Sequence, residues 1–145
     1  MSPRRVLPLI LAIAVQCLAM GCFSSTLTPP RTVPVSGSVT HQGKPVPGVR
    51  VKFHPQFDIG KLEFIPYGET GADGKYVLNT GALGNGAPRG KYIVTLERPD
   101  IGIDPKDGLE AEVDGLKGAY SDPAKSEWIV TLKDGENVLD PFQIK

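Results

Sequence analysis

Few side chains in this 145-residue sequence could carry covalent, acid–base or metal chemistry. They are the thiols of Cys17 and Cys22, the imidazoles of His41 and His54, and a run of carboxylates between positions 98 and 118. A thiolate can exchange with a disulfide, ligate zinc or accept an acyl group. Zinc asks for about four ligands, and neither histidine stands at a spacing from the cysteines that would gather them. In the carboxylate run, Asp100, Asp104, Asp107, Glu110, Glu112 and Asp114 outnumber Lys106 and Lys117 and could offer oxygen to Ca²⁺. Their spacing is not that of an EF-hand, and a charged loop is ordinarily just solvated. No Gly-x-Ser-x-Gly elbow or Ser–His pairing is present for nucleophilic catalysis. His41 falls in a turn and His54 on the polar face of a strand, so both read as solvated surface groups. The chain is therefore expected not to be an enzyme, with no catalytic residue, no metal site and no cofactor.

Cys22 has a more definite use. It ends the stretch MSPRRVLPLILAIAVQCLAMGC, in which Arg4 and Arg5 precede an apolar run and small residues arrive at Ala19 and Gly21. That is the layout of a secretory signal. The unbroken apolar part, Leu9 to Val15, is much shorter than the roughly 20 residues needed to cross a bilayer, which disfavours a permanent transmembrane helix. The end of the segment resembles the bacterial lipoprotein signal. Gly21 and Cys22 match its two most restrictive positions, while Ala19 stands where that family favours Leu, with Leu18 one place further back. The resemblance implies that Cys22 receives diacylglycerol and becomes the first residue of the mature chain, held in a membrane by acyl groups such as palmitate. Cleavage there would discard Cys17 and leave no partner for an internal disulfide. The other reading is an ordinary cleaved signal, in which Cys22 is lost or stays a free thiol. Arg4-Arg5 also suggests twin-arginine export, but Pro8 stands where that signal wants a polar or basic residue, so general secretion is the default. The expected location is the cell envelope, outside the cytoplasm, on a periplasmic face or the cell surface. Phe23 rather than Asp after the cysteine favours the outer membrane if enteric sorting applies.

The remaining chain must supply whatever positions these groups. Three segments are expected: a lipoprotein signal peptide over 1–21, a flexible Ser/Thr/Pro tether over 22–34, and one domain over 35–145. A domain of that size buries about two thirds of its unfolded surface and needs no disulfide. The whole chain balances 16 basic against 16 acidic residues. Loss of Arg4 and Arg5 would make it slightly acidic, and nothing argues for nucleic acid.

From Val33 onward the apolar period is two. Val33, Val35, Gly37 and Val39 alternate with Pro34, Ser36 and Ser38, and Val49, Val51 and Phe53 oppose Arg50, Lys52 and His54. Those two stretches, joined by HQGKPVPG, read as a first hairpin or Greek-key pair. Further strands carry Tyr76 and Leu78, then Tyr92, Val94 and Leu96, then Trp128, Val130 and Leu132, and finally Phe142 and Ile144. A weaker one runs through KLEFIPYGE with Leu62, Phe64 and Pro66 inward. Asp73-Gly74 and Asp134-Gly135 mark turns. The pattern predicts an all-β, antiparallel sandwich.

The motifs VSGSVTHQGKPVPGVRVKFHP, TGADGKYVL, GAPRGKYIVTLE and YSDPAKSEWIVTLKDGENVLDPFQI are together similar to the carboxypeptidase regulatory-like domain, a transthyretin-like, seven-stranded antiparallel Greek-key sandwich common in bacterial secreted lipoproteins. Gly37, Gly43, Lys44, Pro45, Gly48, Asp73, Gly74, Tyr76, Gly90 and Tyr92 occupy its recurrent positions. Each has a structural explanation: glycines at turns, Asp73 bonding its own backbone, tyrosine rings packed with the hydroxyl at an edge. The resemblance implies a fold and an export route rather than an activity. Hydroxyisourate hydrolase shares the fold, but its C-terminal Tyr-Arg-Gly-Ser is not matched by DPFQIK. An adhesin-type isopeptide bond would need a lysine on the first strand, which has none, and Asn137 reads as a loop stabiliser. The expected function is thus a membrane-anchored structural or binding module, and the alternative is a secreted domain that binds carbohydrate or protein through the 98–118 loop. That loop is long and lacks a core pattern, and such connections are often functional.

Overall fold

The computed structural model describes residues 28–60 and 62–145. Cys22 and the expected signal peptide lie outside the described residues. Among those described, strands run in the order β1 (Thr32–Val33), β2 (Val35–His41), β3 (Lys44–Pro45), β4 (Arg50–Pro55), β5 (Tyr67–Glu69), β6 (Lys75–Val77), β7 (Ala87–Pro88), β8 (Gly90–Glu97), β9 (Pro99–Ile103), β10 (Glu110–Asp114), β11 (Ile129–Leu132), β12 (Asn137–Val138) and β13 (Phe142–Ile144). Single 3₁₀ turns occupy Gly81–Leu83 and Pro123–Lys125. No helix of the described residues is long and apolar enough to cross a membrane.

The fold is an all-β sandwich. One sheet is antiparallel in the order β11-β8-β4-β5. The other is built around β2, which pairs with β3 and β6 on antiparallel edges and with β12 and β13 in parallel. Period-two alternation turns one side of each strand inward, and those sides meet in one core. Val35, Val39, Tyr76, Phe142 and Ile144 enter it from the β2 sheet, and Val51, Phe53, Tyr92, Val94, Leu96 and Leu132 from the other. Each such side chain, fully buried, stabilises the fold by about 1.5–3 kcal/mol before entropy is counted.

Several pairings differ from the sequence reading. The stretches 35–41 and 50–55 do not pair with each other, because β2 and β4 lie in opposite sheets and the chain crosses between them after β3. Asp134-Gly135 likewise carries the chain from β11 in one sheet to β12 in the other, so β12 and β13 run parallel to β2 rather than closing a hairpin. The sheet structure begins at Thr32 rather than at Val35, since β1 pairs with β7, and Pro34 separates β1 from β2. Among the described residues of KLEFIPYGE only Tyr67–Glu69 forms a strand, although Pro66 is buried as expected.

Motif residues that lie far apart in the chain become direct neighbours. Gly37 on β2 pairs with Tyr76 on β6, and the tyrosine ring lies across the space a Cβ would fill. Gly74 adopts φ +72° in the turn before β6 and packs on Pro45, while the Asp73 carboxylate accepts the Lys75 N–H at 3.0 Å. The tyrosine hydroxyls are not at an edge. Tyr92 is fully buried and its Oη donates to the Pro88 carbonyl at 2.7 Å, whereas the buried Tyr76 Oη has no partner among the described residues. Burial pushes both phenols well above their usual pKa.

Candidate functional site

The inward sides of β4, β5 and β8 are spent on the core, so only their outward sides are open to contact. On β4 these are Arg50, Lys52 and His54; on β5, Tyr67 and Glu69; on β8, Thr95 and Glu97. Register sets them in rows. Lys52 stands opposite both Thr95 and Tyr67, and Arg50 stands opposite both Glu97 and Glu69. Directly opposed residues bring their Cβ atoms to about 4.5–5.5 Å, so each row is one contact surface. A shallow open trough results, with Ile65 and Tyr67 each 49% exposed along one side. Lys52 Nζ meets Glu97 Oε2 at 2.6 Å on its floor.

The 98–118 segment is not an unstructured loop. β9 and β10 pair antiparallel along their whole length, with Ile101 opposite Glu112 and Ile103 opposite Glu110. Glu112 Oε1 reaches Arg50 Nη1 at 3.1 Å and ties the hairpin to the end of the trough. All four of its aspartates accept backbone amide hydrogen bonds. Asp100 accepts from Ile101 N–H, Asp104 from Lys106 N–H and Asp107 from Leu109 N–H, at 2.8 to 3.0 Å. Asp114 accepts from the N–H groups of Arg98, Leu116 and Gly118, which braces the base of the hairpin. Among the described residues, no three acids, histidines or cysteines gather as metal ligands.

The histidines separate. His41 ends β2 rather than sitting in a turn, while His54 lies on the outer face of the opposite sheet. His54 is also not simply solvated. It is partly buried, and its Nε2 is 2.8 Å from Oγ1 of the buried Thr95. Burial lowers its pKa below the usual 6.5, the Lys52 ammonium lowers it further, and Glu97 opposes them. A depressed imidazole pKa means that, as pH falls through 6.5, the unfolded chain takes up the proton before the native one. The stabilisation is complete above that pH and is lost on acidification toward the folded-state pKa. Wild-type melting temperature should therefore fall between about pH 7 and pH 5.5 more steeply than that of His54→Gln. Parallel profiles in thermal unfolding would remove His54 as the cause.

Asn137 does what the sequence implied. Its amide accepts Lys133 N–H and donates to the carbonyls of Lys133 and Gly135, which closes the turn before β12. The trough residues Tyr67, Glu69 and Glu97 were not singled out by the sequence. Alternation in KLEFIPYGE, with Pro66 inward, was the available signal that Ile65 and Tyr67 face out.

No family model matches this chain, and no curated protein sequence matches it. Two solved structures do. A DUF3823 family protein from Parabacteroides merdae has 19% sequence identity and a TM-score of 0.38, over 77% of this chain and 45% of that one. A 9R-lipoxygenase from Cyanothece has 12% identity and a TM-score of 0.41, over 79% of this chain and 16% of that one. The chain thus spans less than half the length of either.

Proposed function

We propose that this chain is a non-enzymatic bacterial lipoprotein of the cell envelope, anchored through acylated Cys22 and presenting a carboxypeptidase regulatory-like sandwich as a structural or binding module. The observation that carries the reading is the succession of an apolar run, Gly21-Cys22, and a Ser/Thr/Pro stretch that leads to the first strand at Thr32. A proline-rich spacer extends by about 3.1 Å per residue, so the residues between Cys22 and Thr32 could hold the sandwich up to roughly 30 Å from a bilayer. Diacylglycerol plus a further acyl chain is enough for stable residence, which a single chain is not. The pairings Gly37 with Tyr76 and Gly74 with Pro45 support the domain resemblance, because they give its recurrent residues a joint packing role. The separation of His41 from His54 on opposite sheets supports a non-enzymatic reading over a histidine-based hydrolase.

The test is the intact mass of the membrane-extracted protein beside Cys22→Ser. The expected result is a chain that starts at Cys22 and carries added acyl mass, with the addition absent from the variant and the variant released from the membrane. An unmodified wild-type chain cut elsewhere would sink the anchor. The second reading, a secreted domain that binds carbohydrate or protein, is favoured by the trough and the hairpin beside it.

A further inference from the structure

We propose that the trough formed by the outer faces of β4, β5 and β8 is a binding site for a neutral pyranose oligosaccharide, with Tyr67 as its stacking platform. This rests on the binding reading above and gives that reading a place; it does not require the lipid anchor.

A pyranose ring presents an apolar C–H face and a rim of hydroxyls that both donate and accept. Its complement is a flat, partly exposed aromatic ring with fixed polar groups beside it, and an aromatic with few rotatable bonds loses little entropy on contact. Tyr67 is half-exposed, is held in β5 by pairing to Lys52, and also exchanges backbone hydrogen bonds with Asn79 at 3.0 and 2.8 Å. Ile65 extends the apolar side of the trough. Lys52 offers a donor in the same row as Tyr67, and the next row offers a donor from Arg50 and acceptors from Glu69 and Glu97.

Charge decides the class of ligand. Lys52 is paired with Glu97 at 2.6 Å and Arg50 with Glu112 at 3.1 Å, which leaves Glu69 as an acid without an ion-pair partner among the described residues. His54, with its pKa below 6.5, adds no positive charge near neutral pH. An anionic ligand would have to break one of these pairs and would meet a surplus of acid. An apolar peptide or a lipid surface would have to desolvate the charged row that crosses the trough from Glu97 through Arg50 to Glu69. A neutral polyol can hydrogen-bond to both members of each pair and leave their charges compensated. Because the pairs already order the long side chains, binding does not bear that entropy again.

The test is titration of the ¹⁵N-labelled full chain with chitotetraose and cellotetraose, both neutral, and with tetragalacturonate as the anionic comparison. Saturable millimolar or tighter binding of a neutral oligomer is expected, with amide shifts confined to Arg50, Lys52, Tyr67 and their neighbours. Tyr67→Ala should weaken it by at least about tenfold while the melting temperature holds, and Tyr67→Phe should retain it. The proposal falls if neither neutral oligomer saturates, if the shifts map elsewhere, if tetragalacturonate binds more tightly, or if Tyr67→Ala is without effect. Its failure would leave the acyl-mass result at Cys22 untouched, and loss of the anchor would leave this titration untouched.

Discussion

Phe142→Ala should destabilise the sandwich by about 3–5 kcal/mol, the range for deleting a buried phenyl ring. Phe142 sits on β13, is 5% exposed, and touches rings from both sheets. Its centroid lies 6.5 Å from Phe53 on β4, 6.2 Å from Tyr76 on β6, and 5.4 Å from Trp128. Trp128 in turn packs on Tyr120 at 5.5 Å, and Phe53 on Tyr92 at 5.7 Å. Truncation therefore opens a cavity where two chains of aromatic contacts join, and the surrounding rings are too rigid to fill it. Domains of this size are stable by only about 5–15 kcal/mol, so the loss is a large fraction of the total. Thermal unfolding should show a fall of roughly 10–20 °C, and Phe142→Leu should lose less. A fall of only a degree or two would mean that the site collapses, and that Phe142 is not the hub that joins the sheets.

Gly37→Ala is expected to cost about 1 kcal/mol net, although the exchange alone would ordinarily help a strand. Gly37 has no positive φ, so an alanine methyl would by itself favour the extended backbone by about 0.5–1 kcal/mol. The methyl would stand 2.5 Å from Tyr76 Oη and 2.8 Å from Cζ. Tyr76 is 2% exposed and stacks on Phe142 with an interplanar angle of 9°, so its ring has little room to retreat. Overpacking of this kind costs about 1–3 kcal/mol, which outweighs the backbone gain. Urea unfolding of Gly37→Ala, Tyr76→Phe and the double variant checks the cause. Tyr76→Phe removes a buried hydroxyl without a partner among the described residues and should be neutral or stabilising, and it should recover part of the Gly37→Ala loss. Strict additivity would place the damage elsewhere than at this contact.

The inward residues were legible because alternation reports which side of a strand is apolar. Val51, Phe53, Tyr92, Val94 and Leu96 are all buried, as their spacing implied. Strand partners were not legible, since period two is the same whichever strand lies alongside. The 98–118 segment was misread as a loop because neither face of its hairpin is buried. Ile101 and Ile103 are 73% and 61% exposed, and a strand pair that covers no core leaves no hydrophobic contrast to read. Its turn chemistry was visible in Asp104-Pro105-Lys106-Asp107-Gly108, where a proline and an Asp-Gly pair sit between two stretches that carry isoleucine or valine.

Composition and short-range pattern determined that the polypeptide makes a β-sandwich, and they mark Cys22 as the thiol whose surroundings resemble a lipoprotein signal. Both depend on neighbours in sequence, whose spacing the covalent chain sets. The tertiary structure alone decided that Gly37 belongs to Tyr76, that Phe142 joins the sheets, and that the aspartates of the hairpin serve amides instead of converging. It also decided that Arg50, Lys52, Tyr67, Glu69 and Glu97 share one surface. Those contacts connect residues far apart along the chain, and their geometry follows from register and sheet order, which only closure of the whole core selects.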